Sequence, residues 1–442
     1  MEDRILTTIR EKLADSLTME FPAMTRREAV LPRIPGKAHA VVGMRRAGKT
    51  WFLLQCLADR LAAGTSRERL VYFNFEDERL EGLQSERLGL VLEEYYRQFP
   101  DFRRNGTVTF CLDEIQLVPG WERFTRRVMD SEMVEVFLSG SSARMLSREV
   151  ATSMRGRAVE TLIAPFSFRE FLHHREVPLP GRLVSARQRS KLVSAFDGYL
   201  ATGGFPEALS LSSSRDRVRL LQGYVDAVLF RDVAERHGVG NLVALRAFVR
   251  QLLRNPAGSL SVSKISSDFH SRGIPASKET LLAFLDHLQD AFLIFAVPIF
   301  SRSERRRQVN PRKLYLADHA LAAAFSPAEG LDRGHLLENI VACELARTSR
   351  EISYYKTREG FEVDFLATSY DGSERLIQVC ADLSDAATRN RELRALECAH
   401  QERPTAVPLL LCGEEPPPGT KSGTRIEPLW KWLATRPSSS NA

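Results

Sequence analysis

One stretch decides the fold of the first part of this chain: Ala40-Val41-Val42-Gly43-Met44-Arg45-Arg46-Ala47-Gly48-Lys49-Thr50. The apolar run before the first glycine predicts a short buried strand. The stretch then reads G-x-x-x-x-G-K-T, the pattern of a phosphate-binding loop (P-loop). Trp51 to Leu54 begin an apolar pattern typical of a helix. Strand, loop and helix in this order are the context in which such a loop binds phosphate.

The chemistry of this loop predicts a bound nucleotide. Glycines let the backbone curl so that successive N–H groups point at phosphate oxygens. Lys49 is expected to reach the β- and γ-phosphates, and Thr50 to offer its hydroxyl to Mg²⁺, at a helix N-terminus that favours anions. We therefore predict ATP and Mg²⁺ as cofactors; a chance glycine-rich turn is the alternative. The predicted nucleotide-binding residues are Gly43, Met44, Arg45, Arg46, Ala47, Gly48, Lys49 and Thr50.

Composition describes an ordinary globular chain of several domains. Its 442 residues are 43% hydrophobic and 27% charged, and domains of about 100–200 residues predict two to four of them. We find no signal peptide and no apolar run of the ~18–20 residues that a membrane span needs. The six cysteines are scattered without a C-x-x-C pair, which favours the cytoplasm and argues against a zinc site.

The net charge does not identify a binding partner. The net charge of +6 and the pI near 9.0 permit nucleic acid as a partner without requiring it. The many arginines fit either phosphate recognition or a genomic composition bias.

An acidic pair follows an apolar strand about sixty residues after the P-loop. Asp113 is expected to hold Mg²⁺ directly or through water, and Glu114 to polarise the attacking water as general base. An acidic strand-to-loop turn is the alternative. Runs rich in β-forming residues at 70–75, 108–112 and 134–140 alternate with helical segments. This alternation predicts an α/β fold with a parallel sheet.

Two further polar groups are candidates for the same site. Ser139 and Ser141, at the end of the third run, are predicted to contact the attacking water or the γ-phosphate; a plain Ser/Gly turn explains the same letters. Arg155 or Arg157 is predicted to act as an arginine finger across a subunit interface, which implies a homo-oligomer. The alternative for these arginines is a solvated basic turn.

These motifs, with several downstream strings, resemble a known family. The strings are Leu112-Asp113-Glu114-Ile115-Gln116, Trp121, Pro165-Phe166-Ser167-Phe168-Arg169-Glu170-Phe171, Gly203-Gly204-Phe205-Pro206-Glu207 and Arg231-Asp232. The set resembles the prokaryotic AAA-plus-type P-loop ATPases that carry a winged helix and a C-terminal domain long of unknown function. The resemblance covers nearly the whole chain and implies ATP binding and a helical lid after the sheet, but no cellular role.

We accordingly expect five segments. They are a P-loop ATPase core at 1–165, a helical lid at 166–240, a winged-helix domain at 241–329, a degenerate restriction-endonuclease-like domain at 330–425 and a tail at 426–442.

The third segment has the pattern of a DNA reader. A helix at 262–269, a turn, and a helix from the N-cap Ser277 to about Gln289 precede two strands, 294–299 and 313–316, joined by a basic run. Helix–turn–helix followed by a basic hairpin is winged-helix anatomy. Residues in this segment expected at the DNA are Lys278 and Glu279 in a groove and Arg305, Arg306 and Arg307 on phosphates. A fold used only for packing or protein contacts is the alternative.

The fourth segment resembles the restriction-endonuclease-like fold, whose active members place a Glu, an Asp and a Glu-x-Lys around a divalent metal. Glu338 and Asp364 fit the first two positions, but Gln378-Val379-Cys380 stands at the third. Gln is neutral and Cys does not replace a cationic Lys. We predict no nuclease activity, with Lys356 on the preceding strand as the lysine that could restore the charge.

The leading hypothesis is therefore an ATPase whose nucleotide state controls the winged-helix and nuclease-like modules. The rival is a nucleotide-gated regulator or scaffold with little or no hydrolysis.

Overall fold

The computed structural model describes most of the chain and divides it into two compact units, Met1–Ala164 and Pro165–Ala442. The described residues are 2–32, 34–140, 154, 156–181, 183–326, 331–416 and 424–435. The predicted site residues Ser141 and Arg155 lie outside them.

A parallel sheet forms the centre of the first unit, as predicted. Its strands are β1 Ala38–Val42, β2 Leu70–Asn74, β3 Val108–Asp113, β4 Val134–Gly140 and β5 Ala158–Leu162. They lie in the order β2-β3-β4-β1-β5, and all neighbours are parallel. The helices are α1 Glu2–Thr18, α2 Lys49–Ala62, α3 Gly89–Gln98 and α4 Trp121–Ser131. Because the carboxyl ends of parallel strands meet at one edge, the loops after β1 and β3 and the end of β4 converge there.

Helix α2 packs the P-loop against this sheet. Its apolar residues Phe52, Leu53 and Leu57 are buried against Val41 of β1 and Phe137 of β4. Burial of one such side chain stabilises a fold by about 1.5–3 kcal/mol. The amino end of α2 is therefore fixed relative to the strand ends.

The second unit opens with helices. They are α5 Phe168–His174, α6 Ala186–Thr202, α7 Pro206–Leu209 and α8 Ser214–Ala227, followed by a π-helical segment, Val228–Glu235. Helix α5 begins with a capping box: the Ser167 hydroxyl accepts the Glu170 N–H, and the Glu170 side chain accepts the Ser167 N–H.

A small antiparallel sheet and helices follow. The strands are β6 Ser259–Leu260, β7 Ile294–Val297 and β8 Arg312–Leu316, and the helices are α9 Leu242–Leu253, α10 Val262–Ser271, α11 Lys278–Asp290, α12 Glu304–Val309 and α13 Ala320–Phe325. Ser277 caps α11 as predicted. Strands β7 and β8 pair antiparallel, as predicted. The basic run between them forms the short helix α12, at whose start the Ser303 hydroxyl accepts the Arg306 N–H at 3.4 Å.

The last part of the chain is a mixed five-stranded sheet. Its strands are β9 Glu351–Lys356, β10 Glu362–Thr368, β11 Glu374–Cys380, β12 Val407–Cys412 and β13 Arg425–Pro428, and its helices are α14 Arg333–Thr348, α15 Ala386–Glu402 and α16 Leu429–Thr435. The order is β13-β12-β11-β10-β9. The structure thus differs from the predicted tail at 426–442: up to Thr435 these residues complete the sheet and bury Trp430 and Trp432, because apolar side chains favour packing over fraying.

Among the helices in the described part of the chain, none has both the length and the apolar character needed to cross a membrane.

Candidate nucleotide-binding site

The P-loop backbone requires glycine at two points. Gly43 has φ 146°, and a Cβ there would lie 2.1 Å from the carbonyl oxygen of Ile163. Gly48, which precedes α2, has φ 99°. Side chains at either position would strain the loop, so the glycines set the curvature that a phosphate cradle needs.

Lys49 begins α2 and turns its side chain back onto the loop. Its Nζ lies 3.0 Å from the carbonyl oxygen of Gly43 and 3.1 Å from that of Met44, and the residue is only 6% exposed. The ammonium therefore sits inside the curl of the loop, where it contributes positive charge for an anionic ligand.

Asp113, at the end of β3, is held by three hydroxyl groups. Thr50 donates to Asp113 Oδ2 at 2.9 Å and Tyr72 donates to the same oxygen at 2.7 Å, while Ser139 donates to Oδ1. Burial, together with the negative charge of Asp113, raises the pKa of Tyr72 well above its usual value, so this hydroxyl stays a donor.

The pair Thr50 and Asp113 suits a magnesium ion. Hydroxyl and carboxylate oxygens are the hard ligands that Mg²⁺ prefers, and the ion usually keeps several waters besides one or two protein ligands. These two side chains would hold the ion beside the P-loop.

Glu114 follows Asp113 in a left-handed backbone conformation, with φ 53°. A non-glycine residue in this region is uncommon. The Glu114 N–H donates to Ser139 Oγ at 3.0 Å, and the Gln116 side-chain amide donates to Glu114 Oε2. Burial raises the pKa of Glu114 above its ordinary 4.5, although the charge of Lys49 opposes this. Glu114 is thus a carboxylate of increased basicity close to the P-loop.

Ser139 lies between the two residues of the acidic pair. Its hydroxyl bridges the carboxylate of Asp113 and the backbone of Glu114, and it is fully buried. In this arrangement it holds the acidic pair in position.

Arg27 is a further member of the site that sequence reasoning missed. Its Nη1 donates to the carbonyl oxygen of Ala47 at 2.7 Å, and its Nη2 donates to that of Ala164. The side chain of Gln55 in α2 pairs with the backbone of Arg27 at 2.7 Å and 3.2 Å. The residue is only 7% exposed, so it supports the P-loop from behind. It lies in an extended segment without a motif, and no sequence signal marks it.

Arg157 lies at the other edge of the sheet. It precedes β5, whose first residue Ala158 is paired with Ala38 at the start of β1, whereas the P-loop follows the end of β1. Its guanidinium pairs with Asp130. The structure therefore does not bring Arg157 to the P-loop of its own unit.

In the second unit, the carboxylates of the nuclease-like segment meet a lysine that was not predicted. Lys313 Nζ, from β8, lies 3.0 Å from Glu338 Oε1, 3.1 Å from Glu362 Oε1 and 2.9 Å from Asp364 Oδ1. Lys356 is the lysine considered from the sequence. Its Nζ lies 3.3 Å from Glu362 Oε2. The expectation that no lysine other than Lys356 stands nearby is wrong, because β8 supplies one from far away in the sequence.

Burial shapes the charges of this cluster. Desolvation and the neighbouring Asp364 raise the pKa of Glu338, while the charge of Lys313 opposes this shift. Burial alone would lower the pKa of Lys313, but the three carboxylates outweigh it and hold that pKa well above its usual value. The ammonium group of Lys313 thus lies among the carboxylates that would bind a metal in an active nuclease.

Known proteins resemble the chain over nearly its whole length. Residues 35–172 match the family model described as an AAA domain, and residues 193–332 and 333–432 match two domains of unknown function, DUF8612 and DUF4143. The uncharacterized protein MJ1544 of Methanocaldococcus jannaschii is 32% identical, covering 88% of this chain and 85% of its own length. An uncharacterized protein of Haemophilus influenzae is 30% identical, covering 75% and 79%. Among solved structures, a Walker-type ATPase of Pyrococcus abyssi is similar at 15% identity, with a TM-score of 0.42 over 72% of this chain and 94% of that chain.

Sheet, P-loop and family match together define the class of the first unit: an AAA domain, which is a P-loop nucleotide-binding domain. Within this class, the chain belongs to the same family as the uncharacterized protein MJ1544 of Methanocaldococcus jannaschii.

Proposed function

We propose that this chain binds ATP with Mg²⁺ and hydrolyses it, and that Glu114 is the general base. The observation that supports this best is the position of the acidic pair: Thr50 of the P-loop is hydrogen-bonded to Asp113, and Glu114 follows directly. Metal ligand and base therefore stand beside the phosphate-binding loop, as hydrolysis requires.

Each side chain has a separate task in this proposal. Lys49 neutralises the β- and γ-phosphates, and Mg²⁺, held by Thr50 and Asp113, supplies further neutralisation when bound. Glu114 accepts a proton from the attacking water; its raised pKa makes it a stronger base than an exposed carboxylate. Ser139 fixes the orientation of both acidic residues through its two hydrogen bonds.

The rival function is a nucleotide-gated scaffold that hydrolyses ATP slowly or not at all. Steady-state phosphate release, measured with ATP and Mg²⁺, distinguishes the two functions. We expect turnover that disappears when the metal is chelated. Tight ATP binding with no phosphate release would favour the scaffold.

We also propose that the chain assembles with copies of itself and that Arg157 reaches the nucleotide of a neighbouring copy. Support comes from its place at the edge of the sheet away from its own P-loop. In the test, Arg157→Ala lowers turnover without weakening ATP binding, while Asp130→Ala, which removes only its ion-pair partner, leaves turnover intact. A fully active monomer, measured by mass during turnover, would exclude a trans role.

We further propose that α10, α11 and the β7–β8 pair act as a winged helix that contacts DNA, with nucleotide state modulating this contact. Arg305 and Arg306 lie exposed on α12, and Arg307 Nη2 lies 3.3 Å from Glu351 Oε1. Replacing Arg305, Arg306 and Arg307 with Ala should weaken binding to every DNA sequence and flatten its salt dependence.

The matched control removes three other cations: Arg187, Arg189 and Lys191, all exposed on α6. DNA affinity is measured with and without a non-hydrolysable ATP analogue. Equal losses in the two triple variants, or no DNA binding by the parent at low salt, would leave packing as the role of this segment.

The last proposal is that the nuclease-like segment does not cut nucleic acid. The Gln378 side-chain amide donates to Glu392 Oε2 at 2.7 Å, and its side-chain oxygen accepts the N–H of Asp364 at 3.2 Å. Gln378 thus has a structural role at the position where an active nuclease has its third carboxylate. Incubation of DNA and RNA with the chain and Mg²⁺ or Mn²⁺ should give no products. Cleavage that disappears in Asp364→Ala would prove the domain to be an enzyme.

A further inference from the structure

Two histidine rings and a carboxylate meet in the second unit, and none of the three belongs to the two sites described above. His237 closes the helical turn that follows the π-helical segment Val228–Glu235. His287 and Asp290 lie three residues apart in the last turn of α11, and this spacing places them on the same helix face. π-Helical turns re-aim the residues around them and are frequent at functional sites.

These three groups lie close enough together to supply ligands to one ion. The rings of His237 and His287 are stacked, with centroids 3.7 Å apart and planes 10° from parallel. One ligand atom from each ring and one from Asp290 all lie within 4.8 Å of one another. With bonds of about 2.0–2.1 Å, the ligand atoms around a tetrahedral ion stand about 3.4 Å apart. Binding therefore requires the three ligand atoms to approach one another and the two stacked rings to turn until each ring plane contains the ion.

The ligand chemistry selects the ion. Two imidazoles and one carboxylate suit zinc and its transition-metal neighbours, whereas Mg²⁺ and Ca²⁺ require mostly oxygen ligands. All three residues are half-buried, which allows an ion to enter and leaves room for water as a fourth ligand. Asp290 would offset part of the ion's charge.

We propose that His237, His287 and Asp290 form a zinc site that ties the helical segment ending at His237 to the carboxyl end of α11. The scattered cysteines argued against zinc from the sequence, but this site uses none of them. The ion would link two helical elements that are separated by some fifty residues of chain.

The test uses the full chain after removal of metals with a chelator. Zinc is added, and bound metal is measured by equilibrium dialysis and by calorimetry. We expect one zinc per chain to be lost from this site in His237→Asn and in His287→Asn, and its affinity to fall at least tenfold in Asp290→Asn. The control is His270→Asn on α10, an exposed histidine, which should bind zinc as the parent does.

The absorption spectrum of bound Co²⁺ identifies the types of ligand without the use of variants. Co²⁺ bound at this site should show ligand-field absorption without a thiolate charge-transfer band, which separates it from the six free cysteines. A thiolate band in the parent chain, or identical zinc binding by the parent and by the variants of His237 and His287, would overturn the proposal. Circular dichroism of each variant shows whether a loss of binding reflects unfolding.

Discussion

The Thr50 hydroxyl lies 2.9 Å from Asp113 Oδ2 and so links the first turn of α2 to the end of β3. In the sheet, β4 separates β3 from β1, the strand that leads into the P-loop. Ser139, at the end of β4, bonds the other oxygen of Asp113. The ends of β3 and β4 and the first turn of α2 are thus joined through one carboxylate, and this arrangement gives the site its geometry before any nucleotide binds.

Arg27 should control how well the P-loop is formed. Arg27→Lys keeps the charge but loses the planar fork that reaches two carbonyl oxygens. We expect ATP affinity to fall about tenfold, since bonds from a charged donor contribute about 1.5–3 kcal/mol. Arg26→Ala is the control, because Arg26 is exposed and its guanidinium pairs with Asp59. Equal affinity of Arg27→Lys and the parent in a titration would contradict a supporting role.

Tyr72 should contribute to turnover through its hydroxyl group alone. Tyr72→Phe removes one of the three donors to Asp113 and should slow turnover about tenfold at fixed Mg²⁺, with a higher Mg²⁺ requirement. Tyr96→Phe is the matched control, because within the described residues the buried Tyr96 hydroxyl has no hydrogen-bond partner. A Mg²⁺ titration of turnover that is the same for both variants would show that this hydrogen bond is unimportant.

The pH dependence of turnover should carry the signature of Glu114. A base works only when ionised, and burial raises the pKa of Glu114 above 4.5. Activity should therefore fall as the pH drops through that raised pKa, with the midpoint of the acidic limb above pH 4.5. The profile of kcat is measured together with circular dichroism, which excludes unfolding. A kcat that stays constant down to pH 4.5 would contradict the assignment.

Lys313 should be important for stability, in contrast to Lys356. Lys313→Met leaves three carboxylates without their shared cation, and breaking a buried ion pair in this way costs about 3–5 kcal/mol. Lys356→Met is the control: its side chain is 45% exposed, and such surface pairs contribute about 0–1 kcal/mol. Urea unfolding followed by fluorescence measures both variants. Similar losses for the two would show that the cluster is not a buried network.

Local patterns predicted the elements whose signal lies within a short window. The P-loop, the parallel strands β1 to β4 and the cap of α11 by Ser277 each follow from a few adjacent residues. Strand β5 was not predicted, because Ala158-Val159-Glu160-Thr161-Leu162 is a short mixed run whose position depends on pairing with β1. The structure departs from the predicted tail because strand β13 depends on its pairing with β12, which no local pattern shows.

Contacts between distant residues explain the rest. Arg27 supports Ala47, Lys313 meets Asp364, and His237 stacks on His287. In each case at least one partner carries no motif, and only the fold brings the two together. A single sequence contains no local pattern that marks such pairs.

One measurement tests the central claim most directly: ATP binding and phosphate release by Glu114→Gln. If Glu114 is the base, this variant should bind ATP as the parent does and release phosphate about 10²–10⁴-fold more slowly, because only water activation is lost. Lys49→Ala should instead lose tight binding, and Glu81→Gln, an exposed carboxylate of the same unit, should behave as the parent. Phosphate release by Glu114→Gln at the parent rate would contradict the account.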